Sequence, residues 1–181
     1  MAESRAAHRY AFALIGIAEE LKQFDKVSDD MAMLGRAIDE SRDLVRFLKS
    51  PVINKAKKRA VLSDLLKGKV TDLTFKFVEL ITAKEREAIL PDIVRAFAVL
   101  RDKHLGILRA TVRSASPMTS AQRETLQKHL AGITSKNVML TEIGDPSLMG
   151  GFSLQYEDTV WDGSVQHQLQ MLREQFESSA A

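Results

Sequence analysis

The side chains best suited to chemistry in this chain are four histidines, and their spacing does not bring them together. They are His8, His104, His129 and His167. No two are four residues apart, as a metal site on one helix face requires, and none has a carboxylate at metal-ligand spacing. Surface or helix-capping roles are therefore favoured, and no metal site is predicted. The chain has no cysteine, which excludes disulfides and thiolate metal sites.

Two adjacent glycines, Gly150 and Gly151, could in principle form a phosphate-binding loop. The Lys-Ser/Thr pair of a P-loop does not follow them, and they are not part of a GxGxxG motif, so a turn is favoured. Asp158 and Asp162 could act as acid and base, but Asp162-Gly163 is typical of a turn. We therefore predict neither a catalytic residue nor a cofactor. A small cytosolic enzyme with its site at the Gly150-Gly151 turn remains the alternative.

A basic cluster at the start of one predicted helix could bind an anion. It consists of Lys55, Lys57, Lys58 and Arg59. Runs of like charge on a helix are more often a solvated face than a binding site. The sequence therefore favours a solvated face and leaves an anionic partner as the second interpretation.

The composition is that of a soluble protein with a core. The 181 residues are 45% hydrophobic and 28% charged, and suit one large domain or two small ones. The net charge of +2 argues against a dedicated nucleic-acid-binding protein. No run of 18 apolar residues predicts a membrane span, and the N-terminal segment is typical of a helix and not of a signal peptide.

Residues 1–105 predict a bundle of six helices. The first has an apolar face spaced by three and four residues, formed by Tyr10, Leu14, Ile17, Leu21 and Phe24. Ser28, Asn54 and Asp72 are predicted to cap the second, fourth and fifth helices. The fifth helix is apolar around most of its circumference, so it is either central in the bundle or faces a partner.

Residues 106–181 predict a small α/β domain, which gives an α+β fold class for the whole chain. Apolar and polar residues alternate from residue 107, as in a strand, and Thr119 with Gln122 predicts a capping box for the next helix. Two or three further strands precede a final helix. Its apolar stripe is either core or a site for a partner helix, and consists of Val165, Leu169, Leu172 and Phe176.

Several segments, in this order and spacing, resemble the delta subunit of F-type ATP synthases, which is called the oligomycin-sensitivity-conferring protein in mitochondria. The most specific are DPSLMGGF at 145–152 and DGSV at 162–165. FLKSP at 47–51 and RYA at 9–11 also match. The resemblance extends over about 160 residues of the chain.

The resemblance implies a non-catalytic peripheral-stalk, or stator, subunit of a proton-translocating ATP synthase. It links the alpha/beta catalytic head to the b subunits, so that rotation is coupled to ATP synthesis. We expect no nucleic-acid partner, only indirect membrane contact, and a place on the cytoplasmic face of a bacterial inner membrane, because Met1 is present without a transit peptide.

The same resemblance implies two partner-binding sites. Domain 1–105 is expected to hold N-terminal helices of alpha subunits in a groove of its first and fifth helices, with walls formed by Tyr10, Leu14, Ile17, Phe75 and Val78. Periodicity alone leaves open whether each of these is groove or bundle core. Domain 106–181 is expected to bind b subunits through Val165, Leu169, Leu172 and Phe176.

Overall fold

The computed structural model describes residues 2–179 and divides the chain into two compact units between Asp102 and Lys103. The first unit is helical and the second contains a four-stranded sheet. The predicted α+β class with a helical N-terminal part is therefore confirmed. The division lies three residues before the boundary expected at residue 105.

Helices form the first unit and end at recognisable signals. Asn54 caps the fourth helix as predicted, since its side chain accepts a hydrogen bond from Ala56 N at 2.9 Å. Thr71, one residue before the predicted Asp72, caps the fifth. The helices are α1 (Ala2–Glu20), α2 (Phe24–Glu40), α3 (Arg42–Lys49), α4 (Lys55–Leu66), α5 (Asp72–Ala83) and α6 (Leu90–His104), with a short 3-10 helix (Glu87–Ile89) before α6.

The turn between α1 and α2 differs from the prediction. Lys22 takes a left-handed conformation (φ 53°), and Gln23 N donates to Ala18 O at 2.8 Å. This pattern is a Schellman motif, which ends a helix. Helix α2 consequently begins at Phe24, and Ser28 is buried inside it. The prediction of a cap at Ser28, with Phe24 in the first helix, was wrong.

One apolar core holds the helical unit together. Its largest fully buried side chains include Leu14, Met31 and Phe97, and burying each contributes about 1.5–3 kcal/mol. A polar contact fixes α5 against α2. Asp30 Oδ2 accepts hydrogen bonds from Thr71 N at 2.8 Å and from Thr71 Oγ1 at 2.7 Å.

The second unit is a mixed sheet with one helix packed on it. The sheet order is β2-β1-β3-β4; β1 is parallel to β2 and antiparallel to β3, and β3 is antiparallel to β4. The elements are β1 (Ile107–Ser114), α7 (Ser120–Thr134), β2 (Asn137–Gly144), a 3-10 helix (Pro146–Leu148), β3 (Phe152–Tyr156), β4 (Thr159–Asp162) and α8 (Val165–Ser179).

Alternation along β1 places the core of this unit. Leu108, Ala110 and Val112 are buried on one face, in one cluster with Leu126 and Leu130 of α7. The predicted capping box of α7 is confirmed. Gln122 N donates to the hydroxyl of Thr119 at 3.3 Å, and Thr119 N donates to the side chain of Gln122 at 2.9 Å.

Candidate partner-binding surfaces

Three of the four cations in the basic cluster of α4, Lys55, Lys58 and Arg59, form ion pairs within the chain. Lys58 is buried, and its Nζ donates to Glu87 Oε1 at 2.7 Å and to Leu48 O at 3.1 Å. The expectation of a solvated face was therefore wrong for Lys58, because its partner lies 29 residues later in the chain. Two exposed ion pairs accompany it, Lys55 with Glu85 at 3.2 Å and Arg59 with Glu79 at 2.9 Å. Helix α4 is thus tied to α5 and to the segment that follows α5.

The glycine pair forms a closed backbone contact. Gly151 has φ 74°, and a Cβ built on it would lie 2.3 Å from Gly163 O. Gly163 N donates to Phe152 O at 3.0 Å, and Val165 N donates to Gly150 O at 3.0 Å. These contacts join the start of β3 to the start of α8. The backbone of Gly163 therefore lies directly against Gly151, where a side chain would otherwise be.

The carboxylate beside this contact organises the start of α8. Asp162 Oδ1 accepts a hydrogen bond from Ser164 N at 2.9 Å, and Ser164 Oγ accepts one from His167 N at 3.1 Å. Hydrogen bonding from Ser164 lowers the pKa of Asp162 below its usual range. Among residues 2–179, no group of three or more His, Asp or Glu side chains could hold a metal ion. Asp162 has the turn-forming role that its sequence context predicts.

Helices α1 and α5 meet at an aromatic contact. The rings of Tyr10 and Phe77 pack edge to face, with centroids 6.5 Å apart. The guanidinium carbon of Arg86, three residues after α5, lies 5.8 Å from the centroid of the Tyr10 ring. The two helices expected to form a groove are therefore neighbours at Tyr10.

The five predicted groove residues have different surroundings. Leu14 is 1% exposed and Val78 2%, so both belong to the core of the helical unit and leave almost no surface for a partner. Ile17 is 44% exposed. Tyr10 and Phe75 are half-buried and pack against the core. Binding of an alpha subunit by these residues stays a prediction.

The ring of Phe75 lies on a different side of α5 from that of Phe77. With Leu62 and Leu66 of α4, Phe75 lines a small cavity between α4 and α5. The exposed apolar residue on the Phe77 side is Leu80, which follows Phe77 by three residues and is 48% exposed. Leu80 was missed as a site residue, because only the contact between Tyr10 and Phe77 identifies which side of α5 faces α1.

The stripe of α8 is exposed throughout. Val165 is 40% exposed, Leu169 53%, Leu172 49% and Phe176 73%. The interpretation of this stripe as core was therefore wrong. Its role in binding b subunits stays a prediction.

The helices described among residues 2–179 include no candidate for a membrane span, because none combines the length and the apolar composition that a span requires.

Known proteins resemble this chain over almost its whole length. Subunit delta of the ATP synthase of Chlorobium luteolum is 41% identical over 93% of both chains, and that of Chlorobaculum tepidum is 35% identical over 96% of both. A chain of the Toxoplasma gondii mitochondrial ATP synthase hexamer has the same fold, with a TM-score of 0.73 and 23% identity, over 94% of this chain and 96% of that one. A family model described as the ATP synthase delta (OSCP) subunit matches residues 6–176. This chain therefore belongs to the ATP synthase delta (OSCP) subunit family.

Proposed function

We propose that this chain is the peripheral-stalk subunit of a proton-translocating F-type ATP synthase and links the catalytic head to the b subunits. The observation that carries the proposal is the presence of exposed apolar helix residues in each of its two units. Ile17 and Leu80 belong to the surface proposed for the first unit, and Leu169 and Phe176 belong to that proposed for the second. A linker between two partners requires two such surfaces, and buried apolar anchors can supply affinity without chemistry.

The head-binding site consists of the sides of α1 and α5 that meet at Tyr10. Ala13 and Ile17 share a face with Tyr10, and Leu80 shares one with Phe77, because residues three or four apart in a helix are neighbours. An N-terminal helix of an alpha subunit fits there with anchors at similar spacing. In this proposal the six helices act as one bundle, and Leu14 and Val78 support the groove from the core.

The stalk-binding site is α8. An isolated amphipathic helix gains stability when its apolar stripe packs on another helix. In this proposal, the four stripe residues bind the b subunits. The chain contacts the membrane only indirectly, through these subunits, and lies on the cytoplasmic face of the bacterial inner membrane. The alternative of an enzyme with a site at Gly150-Gly151 is not favoured, because the chain belongs to the ATP synthase delta (OSCP) subunit family and the backbone of Gly163 packs directly against Gly151.

Two double variants of the full-length chain test both ends. Calorimetric titration measures binding of an alpha-subunit N-terminal peptide and of the soluble part of the b subunit. Ile17→Glu with Leu80→Glu should weaken peptide binding at least about tenfold, since charges enter an apolar contact, and leave b binding unchanged. Leu169→Glu with Leu172→Glu should weaken b binding at least about tenfold and leave peptide binding unchanged.

The controls each carry one added Glu at an exposed apolar position outside both surfaces, one in each unit. Val99→Glu on α6 and Ile133→Glu on α7 should bind both partners normally, since these side chains are 69% and 64% exposed. If either double variant lost binding to both partners, the assignment of one partner to each unit would be contradicted. Equal losses in the controls would contradict the assignment of the surfaces.

A further inference from the structure

The faces of α1 and α5 beside the apolar groove carry unpaired positive charge. Lys76 and Lys84 lie four residues before and after Leu80, and thus on its side of α5. Arg9 lies on α1, four residues before Ala13. All three cations are exposed, and none forms an ion pair with any residue that the structure describes. Among the α1 side chains whose exposure the structure describes, the exposed acidic residue on this side is Glu20, at the C-terminal end of the helix.

A fourth cation, Arg86, has a defined position at the groove. Its guanidinium carbon lies 5.8 Å from the Tyr10 ring centroid, and the residue is exposed. Arg86 N donates to Ile81 O at 3.0 Å, which closes the C-terminal end of α5. The preceding residue, Glu85, is left-handed with φ 58°. The backbone around Arg86 is therefore fixed by the end of α5.

Both carboxylates adjacent to Arg86 in the chain are bound by α4. Lys55 pairs with Glu85 at 3.2 Å, and the buried Lys58 pairs with Glu87 at 2.7 Å. These two pairs hold the segment in place and engage the acidic groups that could otherwise neutralise Arg86. Arg86 stacks on Tyr10 and forms no ion pair with any described residue.

We propose that Arg86 is a specificity-determining residue of the groove, where it binds a carboxylate of the occupant helix. This inference rests on the proposed function and adds the chemistry of the partner. The occupant is an amphipathic helix with acidic residues beside its apolar anchors, complementary to Arg9, Lys76, Lys84 and Arg86. Guanidinium suits the role, because it binds carboxylates in a bidentate manner while stacking on an aromatic ring.

The test uses the full-length chain and two synthetic peptides. One is the N-terminal segment of the alpha subunit from the same ATP synthase, and the other has each Asp and Glu changed to Asn and Gln. At low salt, Arg86→Gln should weaken binding of the first peptide about three- to fivefold, as expected for one exposed charge pair. It should leave binding of the neutral peptide unchanged. Arg86→Lys should recover part of the loss.

The control is Arg46→Gln on α3, which removes the same charge from an exposed site in the same unit and should change neither affinity. If Arg86 acted only structurally, through its contact with Tyr10, Arg86→Gln would weaken binding of both peptides equally, which would overturn the inference. An unchanged affinity of Arg86→Gln for the acidic peptide would also overturn it. If neither peptide bound the unmodified chain, the head-binding part of the proposed function would fail as well.

Discussion

Helices α1 and α8 carry apolar stripes of similar spacing, yet the two stripes are covered very differently. In α1, Leu14 is buried in the core and Ile17 is 44% exposed. In α8, Leu169 and Phe176 are both more than half exposed. Helix α1 therefore contributes both to folding and to the proposed groove, whereas α8 contributes little burial to its own unit. Substitutions in the stripe of α8 should therefore weaken binding without lowering stability, whereas substitutions in the stripe of α1 should affect both stability and binding.

The largest expected effect concerns the buried ion pair of Lys58 and Glu87 and its contribution to the stability of the helical unit. Lys58→Met leaves Glu87 buried without its partner, which should lower the free energy of unfolding by about 3–5 kcal/mol. Chemical denaturation followed by circular dichroism measures the change. Adding Glu87→Leu should recover much of the loss, since a buried ion pair can be replaced by apolar side chains. A loss below about 1 kcal/mol in Lys58→Met would mean that the pair is effectively solvated.

The direct comparison of the two stripes uses the same substitution in each. Leu14→Ala should lower the free energy of unfolding by about 2–5 kcal/mol, because it leaves a cavity in the core. Leu169→Ala should change it by no more than about 0.5 kcal/mol, as is usual at exposed positions, while weakening b binding. Denaturation curves and calorimetric titration of both variants check this. Similar losses of stability would show that α8 is covered within the chain.

A third substitution tests where α8 is anchored. Gly151→Ala should destabilise the second unit by about 2–4 kcal/mol, because Gly151 is left-handed and a Cβ would overlap Gly163 O. Trp161, the one tryptophan, reports on this unit by fluorescence. The control is Gly144→Ala, where a Cβ meets nothing within 4 Å. Equal stability of the two variants would contradict a close contact at Gly151.

The smallest effect concerns pH. Hydrogen bonds from Met118 N and then from Arg123 lower the pKa of Glu142. This carboxylate therefore stabilises the second unit above the ordinary carboxyl pKa, and its contribution is lost as the pH falls through the lowered value. Glu142→Gln should be slightly less stable than the unmodified chain at neutral pH.

The stability difference between Glu142→Gln and the unmodified chain should shrink below about pH 4. Denaturation monitored at Trp161 between neutral and acidic pH measures it. A difference that stayed constant over this range would exclude the charge of Glu142 as its cause.

Local signals made much of the fold predictable. Thr119 and Gln122 determine a helix start within four residues, and alternation along β1 identifies its buried face. The turn at Lys22 was missed because lysine, unlike glycine, gives no sign of a left-handed conformation. The true start of α2 has no side-chain capping signal, so Ser28 is the nearest residue of a type that caps helices.

The proposed binding surfaces were less predictable, because they depend on contacts between distant segments. Spacing identifies Phe75 and Phe77 as apolar, but only the packing of α4 and α1 shows that they lie on different sides of α5. The same holds for Lys58, whose partner is far away in the chain. Periodicity identifies an apolar face, and tertiary contacts decide what covers it.

The backbone contact at Gly151 also determines how a mechanical load would enter the second unit. Helix α8 follows β4, the edge strand, but Gly163 N and Val165 N donate to Phe152 O and Gly150 O at the start of β3. Strand β3 is paired on both sides, with β1 and β4. A pull on α8 would therefore be shared between the edge strand and an interior strand. The glycines allow the backbones to approach closely enough for this sharing, which the proposed stalk-binding role of α8 would require.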